Sequence, residues 1–336
     1  MATIYEVSKL AGVSLATVSR VINDSNAVRK TTKDKVERAM KQLNYTPNSA
    51  AKSLASNRSD CIGVLVSELK SSFFTRMMGA IDTECRQFEK HIVVTSSEND
   101  ALHEKEGIEF LISRNCDALI LHVESLSDEY LIELSRGKVP VVILNRQIPQ
   151  ISDHCISLNN ELGGYLATKT MLQYGHRDIV YIAGPEHKKD AMQRLAGHRR
   201  ALMEANIPVE EARIFSGDYL QSGGQNGFKH FHKSGLNFSA VVCGNDEMAT
   251  GVMATAREYG LSLPEDLSII GFDNVLFSQY TYPRLTTIEN PITDMGKMAA
   301  RMIMENVYKK SLGTIRKSFE PVLVPRESVC HFDAQV

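Results

Sequence analysis

The sequence predicts two fold classes in one chain: an all-α helix-turn-helix head over residues 1–46, then from residue 60 an α/β body of two doubly wound parallel-sheet halves. Three observations carry this. Residues 2–23 hold two short helix signatures joined across Gly12, continuous apolar strands alternate with helices from residue 61, and that alternation restarts after residue 158.

In the head, Thr3 followed by Glu6 reads as a capping box that opens a first helix, with Ile4, Val7 and Leu10 on one face. Gly12 takes the positive φ that ends it, Val13 fills the gap, and Ser14 caps a second helix whose Val18, Val21 and Ile22 point inward. Leu15, Ala16, Thr17, Ser19 and Arg20 are left outward. Small residues and one Arg at the exposed start of a docked second helix fit a DNA major groove. A plain helical hairpin, with Arg20 a solvated charge, fits the spacing as well. Thr31 with Asp34 reads as a second capping box, opening a third helix with Val36, Ala39, Met40 and Leu43 inside. Residues 44–47 break it. The following stretch, 48–56, is helix-prone but too short to recover the cost of nucleation alone.

In the body, strands are expected at 61–66, 92–95, 118–122 and 141–144, separated by helices at 74–88, 101–113 and 126–136. After strand 154–158 the pattern repeats, with helices at 162–173, 192–205, 223–233 and 246–259 and strands at 179–183, 240–243, 268–271 and 286–288. Continuously apolar strands between helices imply a parallel sheet covered on both faces. Such sheets bind ligands beyond the carboxyl ends of their strands, where Asn145 and Arg146, Asn245 and Asp246, and Asp273 and Asn274 fall. Asp246 is expected to be a helix cap. The pattern by itself suggests a single crossing between halves.

Hydrophobic content of 43% with 23% charged residues, no apolar run of membrane length and no signal-peptide pattern predict a cytoplasmic globule that meets no membrane. Six cysteines without C-x-x-C spacing predict separate reduced thiols. Charge is divided unevenly: residues 1–60 carry ten Lys and Arg against five Asp and Glu, leaving 28 against 35 for the rest. A basic head on an acidic body suits a head that meets a polyanion. There is no P-loop, H-E-x-x-H or G-x-S-x-G, and His230 and His232 lie on different faces of a helix. No metal, no cofactor and no enzymatic activity are expected.

The run A-T-I-x-x-V-x-x-x-A-G-V-S-x-A-T-V-S-R-V-I-N resembles the N-terminus of the LacI/GalR family of bacterial transcription regulators. Leu15-Ala16, Asn145-Arg146 and residues 271–288 are most similar to its galactose-repressor branch. The resemblance implies a periplasmic-binding-protein-like body crossed three times, near residues 157, 288 and 319. It divides the chain into a head over 1–46, a hinge helix and linker over 47–59, and an effector-binding and dimerisation domain over 60–336. Within that domain one subdomain takes about 60–157 and 289–319, the other about 158–288 and 320–336.

For DNA contact it implies Thr3, Tyr5, Ser14, Leu15, Ala16, Thr17, Ser19, Arg20 and Asn23, with Asn48, Ala51 and Leu54 of a hinge that folds as a pair in the minor groove, Leu54 acting as a wedge. For the effector it implies Phe73, Phe74, Asn145, Arg146, Arg194, Tyr219, Asn245, Asp273 and Asn290. Double-stranded operator DNA, a small sugar that releases it and a second copy of the chain are the expected partners. The absence of a C-terminal leucine heptad makes a dimer the expected state rather than a tetramer. A purine-like corepressor, an unregulated nucleoid-type DNA binder and a sugar-acting enzyme with a DNA-binding head are the rival readings. Phe73 and Asn145 resemble the sugar-binding branch.

Overall fold

The computed structural model describes residues 2–22, 28–46 and 58–332, and it separates into two units, Met1–Asp60 and Cys61–Val336. Asn23, Asn48, Ala51 and Leu54, and with them the expected hinge helix, lie outside the described residues.

The head comprises α1 (Ile4–Ala11), α2 (Leu15–Ile22) and α3 (Lys30–Gln42). The Thr3–Glu6 capping box forms in full, and Gly12 ends α1 in the left-handed conformation at φ 65°. Ser14 caps α2 by accepting from the Thr17 N–H, while the Ser8 hydroxyl donates to the Val13 carbonyl and ties the turn. Val7, Val18, Val21, Val36 and Ala39 make a small core, with Ile4, Val13, Met40 and Leu43 packed at its edge. Two expectations fail here. Leu10 is exposed, and the Thr31–Asp34 capping box does not open α3, which starts one residue before Thr31 from Arg29 without a side-chain cap.

The second unit contains two six-stranded sheets of the same plan. In the first, β1 (Cys61–Val66), β2 (His91–Ser96), β3 (Ala118–Leu121), β4 (Val141–Leu144), β5 (Cys155–Leu158) and β11 (Ser318–Phe319) run in the order β11-β5-β4-β3-β1-β2. In the second, β6 (Ile179–Ala183), β7 (Ile214–Ser216), β8 (Ala240–Cys243), β9 (Ser268–Asp273), β10 (Thr286–Glu289) and β12 (Val322–Val324) run β12-β10-β9-β8-β6-β7. Every pairing is parallel except β10 with β12. The chain therefore passes between the sheets three times: after β5, after β10, and between β11 and β12.

Helices α4 (Ser72–Arg86), α5 (Ala101–Ser113), α6 (Asp128–Ser135) and α11 (Ile292–Asn306) cover the first sheet. The second is covered by α7 (Asn160–Gln173), α8 (Lys189–Glu204), α9 (Gln221–Ser234) and α10 (Asp246–Glu258). Both faces of each sheet are buried, which is why their strands read as unbroken Val/Ile/Leu runs. No described helix is long and apolar enough to cross a membrane.

Helices α7 and α8 touch backbone to backbone, because Gly164 and Gly197 leave no side chain between them. A Cβ on Gly164 would lie 1.9 Å from the Arg194 carbonyl oxygen. Gly164→Ala must therefore push α8 outward, and overpacking of this kind typically costs about 1–3 kcal/mol. Urea unfolding is expected to show that loss. A wild-type midpoint would mean the two helices have slack.

Candidate nucleic-acid interface and ligand cleft

On the head, Ser14, Ala16 and Arg20 are exposed and Leu15, Thr17 and Ser19 half-buried along the outer side of α2, while Tyr5 stands out from α1 at 69% exposure. The Thr3 hydroxyl is engaged in its cap and the Thr17 hydroxyl pairs with that of Ser14 at 2.9 Å. The remaining outward surface of α2 is small and carries one cation, so another backbone can approach it closely.

In the body, a cleft of about 510 Å³, including its open mouth, lies where the carboxyl ends of both sheets face each other. Phe73 and Phe74 form one wall from the start of α4, which begins two residues earlier than expected because Ser71 caps it by accepting from the Phe73 N–H. Their rings meet edge to face at 5.2 Å, and Phe74 packs on His122 at 4.8 Å. Opposite stands Tyr219, its ring against Gly184, where any Cβ would collide with it at 2.2 Å.

Arg194 is 3% exposed and held on several sides. Nε donates to Asn160 Oδ1 at 2.9 Å, Nη1 donates to the Gly244 carbonyl at 2.7 Å, and the guanidinium carbon sits 3.7 Å from the centre of the Phe272 ring. Nη2 lies 3.6 Å from both Asp190 Oδ2 and Asp273 Oδ1, too long for hydrogen bonds and open to a ligand oxygen. Burial works against its charge, yet Tyr219, Asp273 and Asp190 hold the guanidinium above its usual range. Burial likewise pushes Asp273 up to about 6, against Arg194 and the Asn290 amide.

Four lining residues, Asn99, Asn145, Tyr219 and Asp273, have positive φ, as does Asn274. Non-glycine residues adopt this conformation only where their surroundings enforce it. The surroundings are visible: Asn145 N–H donates to the Ile156 carbonyl, Asn245 Nδ2 to the Tyr219 carbonyl, and Val275 N–H to buried Asp246 Oδ2. Asp246 is thus not the helix cap it was expected to be. Asn245 caps α10 by accepting from Met248 N–H, and Asp246 turns inward to Thr287 and Val275.

Phe73, Phe74, Asn145, Arg194, Tyr219, Asn245 and Asp273 line the cleft. Arg146 and Asn290 do not. Asn145 faces the cleft, while the Arg146 guanidinium turns to pair with Asp128 at 2.7 Å. Asn290 stands behind Asp273 and donates to its Oδ1 at 3.0 Å.

Glu68, Ser71, Asn99, His122, Glu124, Lys188, Asp190 and Glu247 also line the cleft and were not anticipated. The signal for His122 was its place directly after an apolar strand. Glu124 follows on a loop fixed by fully buried Glu104, whose carboxylate accepts from the N–H groups of Glu124, Ser125 and Leu126. Lys188 Nζ reaches across the mouth to Asn99 Oδ1 at 2.7 Å, as Lys189 Nζ does to Asp128. His230 and His232 pack on different rings, Phe215 and Phe228, and the described residues contain no cluster suited to a metal ion.

Burial, and then the Asp190 carboxylate, push Glu124 up to about 8, while burial takes His122 down to about 4. An unfolded chain loses the Glu124 proton at the ordinary carboxylate value, so between there and 8 the folded state holds one proton more. Stability from this group therefore falls as pH rises through that window. Without ligand, the wild type should lose about 2–4 kcal/mol relative to Glu124→Gln between pH 5 and 8 in urea melts. Parallel profiles would mean that Glu124 titrates normally.

Residues 3–48 match the family model for bacterial regulatory proteins of the lacI family, and residues 168–329 that for the periplasmic binding protein-like domain. The chain is 36% identical over 329 residues to the HTH-type transcriptional regulator GalR of Escherichia coli (strain K12), covering 98% of this chain and 96% of that one. It is 32% identical over 330 residues to the HTH-type transcriptional repressor PurR of Vibrio campbellii, covering 98% and 99%. Among solved structures, the lac repressor dimer bound to operator and the anti-inducer ONPF superposes with a TM-score of 0.86 at 28% identity, over 98% of this chain and 99% of that one. The chain belongs to the lacI family of bacterial regulatory proteins: it is a DNA-binding transcription regulator with a helix-turn-helix head and a periplasmic-binding-protein-like body.

Proposed function

We propose that this regulator represses sugar-utilisation genes by binding a near-palindromic operator as a symmetric dimer, and that a galactose-like or related saccharide in the cleft releases it. One observation carries the choice of ligand. His122 Nε2, Asn145 Oδ1 and the Tyr219 hydroxyl are buried without hydrogen-bond partners, and all three residues line the cleft with Arg194. Buried polar atoms are costly when unpaired. A polyol supplies donors and acceptors to all of them, and its C–H face packs on Phe73 or Phe74. Arg20 and the small residues of α2 read bases, Asn48, Ala51 and Leu54 belong to a hinge that meets the minor groove, and Arg194, Asp273, Asn245 and Asn145 grip the sugar.

For the second copy, Leu276, Tyr280 and Tyr282 offer an apolar face, with Tyr280 and Tyr282 exposed by 76% and 85%. A purine-like corepressor is the second reading, supported by the likeness to PurR and by flat rings on both walls of the cleft. Calorimetric titration with sugars, nucleosides and purines, paired with operator mobility shifts, separates the two. A sugar that binds and weakens the operator complex is expected. A purine that binds and strengthens it replaces this reading with the second.

A further inference from the structure

We infer that the second half of the body holds a further small-molecule site, remote from the cleft, whose occupant is a neutral apolar ring bearing one hydroxyl group. The inference stands apart from the sugar reading. Behind it is a cavity of about 200 Å³ at the amino ends of β6 and β7, the opposite end of the second sheet from the cleft. Its walls are aliphatic: Ile179 and Ile214 open the two strands, Leu202 comes from α8, and Ile207 and Val209 come from the loop after α8. An apolar cavity of about 150 Å³ already holds benzene.

The one buried polar side chain in this lining is His198, 1% exposed and one turn beyond Arg194 on α8. The cavity thus sits against the helix that carries Arg194 into the cleft. Thr168 Oγ1, on α7, donates to the Gly164 carbonyl at 3.1 Å and stands 2.8 Å from His198 Nδ1. A hydroxyl has a single proton, so Thr168 accepts from Nδ1–H and Nε2 keeps its lone pair. Among the described residues no hydrogen bond reaches Nε2. Burial takes the imidazole down to about 3, so it stays neutral near pH 7 and Nε2 stays an acceptor. A buried acceptor with no donor is costly, and an O–H entering the cavity removes that cost.

The rim does not favour an ion. Arg213 Nη2 donates to Asp178 Oδ1 at 3.2 Å, its Nη1 donates to the Asn237 carbonyl, and its Nε lies 3.4 Å from Glu210 Oε2. Arg177 Nη1 donates to the Leu172 and His176 carbonyls, and its side chain is exposed, so water and salt screen its pull on an anion. Two cations and two carboxylates balance there. Deeper in, a carboxylate would set its own lone pairs against that of Nε2, whereas a hydroxyl donates to it.

Calorimetry on the full chain tests this with phenol, toluene and benzoate. Phenol and toluene match in size and differ by the hydroxyl, so their affinity ratio isolates the donor. Phenol is expected to bind with a dissociation constant of about 1 mM or lower, and more tightly than either toluene or benzoate. His198→Phe keeps a ring in place and removes the acceptor, and it should lower the phenol-to-toluene ratio roughly tenfold. Val209→Phe fills the cavity from its wall and should weaken phenol at least about tenfold. Toluene or benzoate bound as tightly as phenol by the wild type would overturn the inference, as would no phenol binding up to about 10 mM. Unchanged phenol affinity in Val209→Phe would place phenol elsewhere and overturn it too. An unchanged ratio in a folded His198→Phe would do the same; if that variant does not fold, the wild-type affinities and Val209→Phe decide.

Discussion

Asp273→Ala is expected to stay on the operator at sugar concentrations that, on the proposed reading, release the wild type. Asp273 ends β9 in the cleft wall, and its Oδ1 accepts from Asn290 and lies 3.6 Å from Arg194 Nη2. A sugar hydroxyl seated there donates to the carboxylate while its oxygen accepts from the guanidinium. Charge-assisted bonds of this kind contribute about 1.5–3 kcal/mol each. Losing one outright and misplacing the second lowers sugar affinity roughly 100-fold or more. The fold survives, because burial already works against the ionised Asp273 side chain. Its removal relieves that cost, although Asn290 loses a partner.

On the proposed reading, control of DNA binding starts in the cleft itself. Arg76 on α4 of the first half donates to the Asn274 carbonyl at 2.8 Å, so the loop that holds Asp273 is also a contact between halves. A ligand bridging Arg194 and Asp273 on one side to Asn145 on the other biases how the halves stand together. Coupling of this sort is reciprocal, so operator must weaken sugar binding by the same factor, typically about 1–3 kcal/mol. Asp273→Asn is the control for backbone effects, since Asn tolerates positive φ far better than Ala. Mobility shifts across a sugar titration read the outcome. Release of Asp273→Ala at the wild-type sugar concentration would take Asp273 out of the site.

The parts of this molecule that the sequence made legible are those governed by local rules. Thr3 and Glu6 three residues apart, Gly12 between two short helices, and Val7, Val18 and Val21 at helical spacing define the head without reference to anything distant. Strands such as Cys61–Val66 are legible because burial on both faces makes them uniformly apolar. What escaped depends on partners far along the chain. Nothing local distinguishes Asn145, which faces the cleft, from Arg146, which finds Asp128. Glu124, Lys188 and Asp190 read as ordinary loop charges until two halves close around them. The two-residue β11 and three-residue β7 are too short to show a period. Helix α11 is a different case: Ile292, Met295, Ala299 and Ile303 are spaced for a buried helical face, and the signal was present but passed over. In the head, Thr31 and Asp34 mimic a capping box inside a helix that has already begun.

Arg20→Ala is expected to lose operator affinity while sugar affinity stays at the wild-type value. Arg20 lies in the last turn of α2, not at the start of the helix where the sequence reading put it, and is exposed, whereas the residues flanking it in the core are Val18 and Val21. Its removal leaves that core whole, so the melting temperature should not move. A lost contact to a base edge costs about 1–3 kcal/mol. A symmetric dimer loses two such contacts, giving about 2–6 kcal/mol, or roughly 30-fold to more than 10⁴-fold in operator affinity. Salt dependence tells which kind of contact was lost. If Arg20 reads a base, the loss falls on the operator and spares random DNA; if it holds a phosphate, both weaken alike and each lost contact lowers the salt slope by about one. Fluorescence anisotropy on operator and scrambled duplexes at several salt concentrations separates the two. Wild-type operator binding by Arg20→Ala would mean that the exposed side of α2 is not the reading surface.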